Sequence, residues 1–394
     1  MIDYSKIVAG RAADIKPSGI RKFFDILETM KGVVSLTVGQ PDFPTPWHIR
    51  DAAIDSIQKG KTYYTSNAGT VELRKEISAY LSRTFDIDYN YKQIITTVGG
   101  SEAIDIIIRS VVGEGDEVII HYPNFVCYEP LVQLCGGKPV IIDTEEESGF
   151  KVTAKALREA ITDRTKAIIM TYPNNPTGAV MDREDWEEIA DVLRDTNILL
   201  ISDEIYSELT YGKKHVSPAS VSDLYERTVT VGGFSKAFAM TGWRLGYVAA
   251  PSEIINTVLK IHQYAIMCAP TASQFAGIEA LKNGEEDVKM MVREYDRRRK
   301  VLLSEFKKMG IACYEPKGAF YVFPNIKQYG LTSEEFAEKL LYEYNCAVVP
   351  GSAFGECGEG FVRISYAYSL EHLYKGLECI KKMISDLQDK PELK

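Results

Sequence analysis

A change of pattern near residue 93 restricts the fold of this chain more than any other feature. From there, short β-rich runs at 94–98, 117–121, 139–143, 167–171, 198–202, 229–231 and 245–249 alternate with longer segments, most of them amphipathic. Several runs are apolar at consecutive positions rather than at every second one. A strand with one face in water alternates apolar and polar residues, whereas an unbroken apolar run is what burial on both faces demands. Strands buried on both faces and joined by helices form a mostly parallel sheet, so the spacing predicts an α/β fold with a seven-stranded sheet flanked by helices.

The flanks read differently. Residues 1–35 suggest an arm and a short helix, with Ser18 as its cap and Ile20, Phe23, Phe24 and Leu27 on one face. An apolar strand near 33–38 then runs into Gly39 and three prolines, and helical patterns follow near 46–59 and 70–84. Beyond about 252 the chain turns helical, with a long charge-laced segment at 284–309. Runs at 318–323, 347–349 and 361–366 alternate there with helices near 333–344 and 369–386, which reads as a smaller α+β domain. The boundaries expected are 1–40 for the arm and part of the small domain, 41–283 for the large domain and 284–394 for the small C-terminal domain.

Charge and composition narrow the function classes. A net charge of -9 argues against a nucleic-acid binder, and no apolar run approaches a membrane span. Seven scattered cysteines without a Cys-x-x-Cys pair read as reduced thiols, and five histidines without ligand spacing leave metal chemistry unsupported. A cytoplasmic protein acting on small molecules, with neither nucleic acid nor membrane as partner, is the expectation.

Ligands of wound α/β sheets sit beyond the carboxyl ends of the strands, so the residues just after each run matter most. After 94–98 come Gly99, Gly100 and Ser101, opening a helix whose free N–H groups suit a phosphate, though taken alone the turn reads first as a simple cap. After 117–121 comes Phe125, an aromatic face or a core residue. After 167–171 comes Tyr172-Pro-Asn-Asn-Pro-Thr-Gly178, with directed amides at Asn174 and Asn175. Asp203 follows four apolar residues and a serine; burial of its carboxylate calls for a cationic neighbour, and a helix cap is the plainer alternative. Lys236 and Arg244 lie in a Gly-, Ser- and Thr-bearing loop between 229–231 and 245–249, where a partly desolvated amine becomes a nucleophile near neutrality, a solvated surface lysine being the equal alternative from this segment alone. One planar, phosphorylated, aldehyde-bearing heterocycle with a basic ring nitrogen answers all of these groups together, and pyridoxal 5′-phosphate is such a molecule.

With these residues in view, the chain resembles the class I/II pyridoxal-phosphate aminotransferases of fold type I over nearly its whole length. The motifs are Gly39-Gln-Pro-Asp-Phe43, Tyr64 with Gly69 and Glu72-Leu-Arg74, Pro173-Asn-Asn-Pro-Thr-Gly178, Ser202-Asp-Glu-Ile-Tyr206, Ser235-Lys236 with Arg244 and Gly246, and Val362-Arg-Ile-Ser365. The resemblance implies that Lys236 bonds the cofactor aldehyde and shuttles the proton, and that Asp203 holds the ring nitrogen. It further implies that Tyr206 and Asn175 contact the ring oxygen O3′ and that Phe125 stacks on the ring. Gly100, Ser101, Ser235 and Arg244 would hold the phosphate, with Tyr64 donated across the interface of a homodimer whose active sites lie at that interface. Arg363 would bind the substrate α-carboxylate, with Asn175 and Gly39 lining that pocket.

Departures bear on specificity. Gly233 stands where many members have a phosphate-binding serine, and Phe125 replaces the tryptophan of several aspartate aminotransferases. Ser101 and Ile20 replace the lysine and threonine with which one subgroup meets a distal carboxylate. The stretches Ser18-Gly-Ile-Arg-Lys-Phe23 and His262-Gln-Tyr264 are similar to the bacterial aminotransferase A and N-acetyl-LL-diaminopimelate aminotransferase group. The function implied is ping-pong transamination with 2-oxoglutarate as acceptor, the donor being N-acetyl-LL-diaminopimelate, an aromatic amino acid or aspartate; the alternative is a same-fold C–S lyase.

Overall fold

The computed structural model describes residues 2–17, 30 and 32–388; the expected helix bearing Ser18, Ile20, Phe23, Phe24 and Leu27 lies outside them. Strand β1 (Val34–Ser35) precedes a run of seven: β2 (Ile94–Thr97), β3 (Glu117–Tyr122), β4 (Lys138–Asp143), β5 (Thr165–Thr171), β6 (Leu199–Asp203), β7 (Thr228–Gly233) and β8 (Gly246–Ala249). Strands β9 (Tyr321–Val322), β10 (Cys346–Ala347), β11 (Val349–Pro350) and β12 (Val362–Ser365) follow.

All seven strands expected from the apolar runs join one sheet in the order β2-β8-β7-β6-β5-β3-β4. Pairing is parallel from β4 through β7, and β8 runs antiparallel to both β7 and β2. The two-faced burial that the sequence demands is present: every residue of β2 and β8 is buried. Strand β4, at the sheet edge, is partly exposed, and it carries the mixed sequence Lys-Pro-Val-Ile-Ile-Asp. Helices Gly99–Val111 and Ser252–Ala265 cover one face with the Ile104, Ile107, Val258 group, while Trp186, Ile189 and Leu193 of helix Arg183–Leu193 lie in a separate core with Ile168 and Leu200.

The strand expected at 33–38 is only two residues long. It pairs in parallel with β10, Val34 opposite Cys346, so the chain just before the large sheet is tied to the C-terminal part. Leu36 packs in the same core as Leu302, Phe306, Phe336 and Leu377 from helices Glu285–Lys308, Ser333–Tyr344 and Leu370–Gln388. Beyond β1, the Leu36 N–H donates to the Ala347 carbonyl and the Leu36 carbonyl accepts from the Ser365 N–H, and the chain then reaches the carboxyl end of the large sheet, where the Gly39 carbonyl meets Lys236. Strands β11, β12 and β9 form the small antiparallel sheet that carries Arg363 and Tyr321.

Candidate active site

The carboxyl ends of the parallel strands and the start of helix Gly99–Val111 open onto a cavity of about 350 Å³. It brings together Gly39, Gly100, Ser101, Phe125, Asn175, Asp203, Tyr206, Ser235, Lys236, Arg244 and Arg363, residues up to 324 positions apart in the chain. Tyr64 does not line it, standing 78% exposed on the surface of this single chain, and neither does Asn174, whose amide donates to the Pro123 carbonyl at 3.2 Å and accepts from Thr177 within its own loop.

Asp203 is the last residue of β6 and is buried. Burial raises its carboxyl to about 6, opposed by the Tyr128 hydroxyl, which donates to Oδ2 at 2.7 Å, and by the Ile205 N–H, which donates to Oδ1 at 3.2 Å. The cationic neighbour expected from the sequence is not in contact: a phenol and a backbone N–H stand there, and Lys236 acts only through space. Two neutral donors do not remove the cost of a buried charge, so the carboxylate retains capacity for a cation arriving from the cavity.

Lys236 reaches the same cavity from the β7–β8 connection. Its Nζ donates to the Gly39 carbonyl at 2.6 Å and lies 5.6 Å from the Tyr206 ring centroid. Burial brings its pKa down to about 8, the positive charges of Arg363 and Arg244 add to the lowering, and Asp203 opposes it. Near neutral pH an appreciable share of this amine is therefore uncharged and nucleophilic.

The anion-ready corner is built from backbone. Helix Gly99–Val111 has no side-chain cap at Val98, and Gly100 and Ser101 of its first turn face the cavity beside Ser235 and Arg244. Gly99 has φ +77°, and a Cβ there would stand 2.5 Å from Nη2 of Arg244; a Cβ at Gly246 would stand 2.7 Å from the Gly99 carbonyl carbon. Glycine is thus required for the arginine and the helix start to close on one another. Gly233 has a similar constraint, since a Cβ would lie 2.7 Å from Ile205 Cδ1 and 3.3 Å from the Leu245 carbonyl. A serine at that position would require the end of the Ile205 side chain to move.

Arg363, on β12, is 3% exposed. Its Nη1 donates to Asn175 Oδ1 at 2.9 Å and Nη2 to the Thr37 carbonyl at 2.6 Å, while Nε has no partner. Burial depresses its pKa, yet a guanidinium keeps its proton. A buried cation held only by neutral groups, with an idle donor, suits an incoming carboxylate.

Four contributors escaped sequence reasoning: Tyr128, Thr171, Tyr321 and the carbonyl of Thr37. Tyr128 follows Phe125 by three residues, and the two rings meet edge to face at 6.2 Å, but nothing local signals that its hydroxyl reaches Asp203. Thr171 Oγ1 in turn donates to the Tyr128 hydroxyl at 2.7 Å. These residues fit pyridoxal phosphate: an uncompensated buried carboxylate for a ring nitrogen, a glycine cradle closed by Arg244 for a phosphate, and a near-neutral amine for an aldehyde.

Comparison with known proteins agrees with the geometry. Residues 31–380 match the family model described as aminotransferase class I and II. The chain is 52% identical to a putative aminotransferase, YugH, of Bacillus subtilis, over 94% of this chain and 96% of that one. It is 43% identical to a probable N-acetyl-LL-diaminopimelate aminotransferase of the same organism, over 95% of each. The solved aromatic aminotransferase of Pyrococcus horikoshii superposes with a TM-score of 0.89 at 44% identity, covering 93% of this chain and 99% of that one. The chain belongs to the aminotransferase class I and II family, whose members are pyridoxal-phosphate-dependent enzymes.

Proposed function

We propose that the protein moves the amino group of an amino acid to a 2-oxo acid, 2-oxoglutarate being the expected acceptor, by a ping-pong route. The observation that carries this reading is one cavity holding a lysine with a pKa near 8 and, within reach of the same substrate, an arginine without a carboxylate partner. Pyridoxal phosphate, when bound, supplies the conjugated ring that takes up the electron pair released at the substrate α-carbon. In this reading Lys236 holds the cofactor and, once freed, accepts and returns the α-proton at Nζ. Asp203 stays ionised against the ring nitrogen, with Tyr128 as its second support. Asn175 and Tyr206 contact the ring oxygen, Phe125 covers the ring, and Gly100, Ser101, Ser235 and Arg244 hold the phosphate. Arg363 grips the substrate α-carboxylate, and Gly39 lines the same space.

Residues 41–283 form the cofactor-binding domain in this proposal, and 284–394 with part of 1–40 the small domain; the β1–β10 pairing supports joining the two ends of the chain. Exposure of Trp47, Ile57, Tyr63, Tyr64 and Tyr264 supports a homodimer whose interface brings Tyr64 to the partner's phosphate corner. All seven cysteines are free, which supports a cytoplasmic setting, and no described helix is long and apolar enough to cross a membrane.

The donor is tested by mixing the holoenzyme with 2-oxoglutarate and N-acetyl-LL-diaminopimelate, aromatic amino acids or aspartate, and measuring glutamate. Glutamate formation with at least one donor is expected. Release of pyruvate and thiol from a sulfur amino acid, without glutamate from any donor, would overturn transamination in favour of a C–S lyase.

A further inference from the structure

Tyr321 has no role in the reading above, yet it touches both of its halves. Its hydroxyl lies 2.8 Å from the hydroxyl of Tyr206, and the guanidinium carbon of Arg363 sits 4.5 Å from its ring centroid. The ring is 1% exposed and lines the cavity. Gly39 packs so closely over the Tyr321 hydroxyl that a Cβ at position 39 would overlap it. Strand β9 fixes the backbone through its ladder with β12, Ser365 opposite Tyr321, so the ring and Arg363 stand on neighbouring strands of one small sheet.

Either hydroxyl of this pair can donate, and the acceptor that arrives in the cavity selects the direction. Burial holds both phenols above their ordinary pKa, so each keeps its proton. Tyr206 is the hydrogen-bond partner recorded for the Tyr321 hydroxyl among the described residues, and a buried O–H left undonated costs free energy. With a cofactor ring oxygen as acceptor for the Tyr206 hydrogen, donation from Tyr321 to the Tyr206 oxygen satisfies both hydroxyls. A hydroxyl that accepts a hydrogen bond also donates more strongly.

We propose that Tyr321 is a positioning residue that works through two separate parts: its hydroxyl aims the Tyr206 proton at the cofactor's ring oxygen, and its ring sets the plane in which Arg363 receives the substrate carboxylate. This rests on the roles assigned above to Tyr206 and Arg363. A donor on the ring oxygen stabilises the anionic oxygen most when the neighbouring imine has lost its proton, so it lowers the pH midpoint of the cofactor absorbance. The ring contributes through the cation–π attraction of a desolvated guanidinium.

Three variants separate the parts: Tyr321→Phe, Tyr321→Leu and Tyr206→Phe, each loaded with cofactor and titrated by absorbance, with binding of a non-reacting carboxylate analogue of the substrate measured in parallel. Tyr321→Phe is expected to raise the absorbance midpoint by about 0.5 to 1 pH unit, the size of one net hydrogen bond, with carboxylate affinity within about twofold of native. Tyr321→Leu is expected to raise it similarly and to weaken the carboxylate roughly tenfold. An unmoved midpoint in Tyr321→Phe, where Tyr206→Phe does shift it, overturns the hydroxyl's role. Equal carboxylate affinity in the Phe and Leu variants overturns the ring's role. An unmoved midpoint in Tyr206→Phe would instead refute the contact assigned to Tyr206, and the proposal with it.

Discussion

The carboxyl end of the large sheet and the small β11-β12-β9 sheet both place buried charge beside the cavity, but they do so with opposite chemistry. At the carboxyl end of the large sheet the two groups that titrate are displaced toward neutrality from either side: Asp203 up to about 6 and Lys236 down to about 8. On the small sheet Arg363 cannot give up its charge, and its surroundings are an amide, a carbonyl and the faces of Tyr321 and Phe354. The first arrangement lets protons change hands near neutral pH; the second holds one charge constant through a catalytic cycle. In the functional reading proposed here, chemistry belongs to the carboxyl end of the large sheet and recognition to the small sheet.

Substitutions can break that division, beginning with the largest effect. Lys236→Ala is expected to lower turnover by more than about 10⁴-fold and to leave the cofactor removable by dialysis; normal activity would sink the assignment. Asp203→Ala should cost roughly 10²- to 10³-fold in kcat and weaken cofactor retention, because the electrostatic partner of the ring nitrogen is gone. Arg363→Lys should lower kcat/KM by about 30- to 100-fold, since an ammonium cannot reproduce the forked geometry, while the protein holds its cofactor as before. Comparable cofactor loss in the Arg363 and Asp203 variants would erase the distinction between the two regions.

Smaller effects sharpen it. Tyr128→Phe leaves Asp203 with the Ile205 N–H as its remaining recorded donor, and a several-fold fall in cofactor affinity is expected, consistent with about 1 kcal/mol for one hydrogen bond. The Asp203 carboxyl, raised in the folded state above its unfolded value of about 3.9, makes the folded chain hold the extra proton between these values. Its stabilising contribution to the cofactor-free protein is therefore full below about pH 4 and lost as pH rises through about 6. Denaturation of native and Asp203→Asn proteins across that range should show this slope in the first and not the second.

The residues that were legible share one property: their signal is local. Apolar runs on consecutive positions identified the seven strands, and the residues after them, Phe125, Asn175, Asp203 and Lys236, meet in one cavity because parallel strands end together. The two-residue β1 was overestimated because an apolar stretch does not reveal where its pairing partner, β10, stops. Tyr128 and Tyr321 are buried aromatics that no local pattern singles out, and only the hydroxyl partner of each, in a distant segment, places it in the site.

By itself the sequence determined the sheet, the order of its chemistry-bearing loops and the kind of cofactor they can hold, since strand burial and residue type act over a few neighbouring positions. Only the tertiary structure decided how those groups are tuned. That Lys236 sits between Gly39 and the charges of Arg363 and Arg244, that a phenol rather than a cation supports Asp203, and that Tyr321 bridges Tyr206 and Arg363 depend on distances between distant segments. Desolvation and Coulomb interactions follow those distances, and no local pattern encodes them.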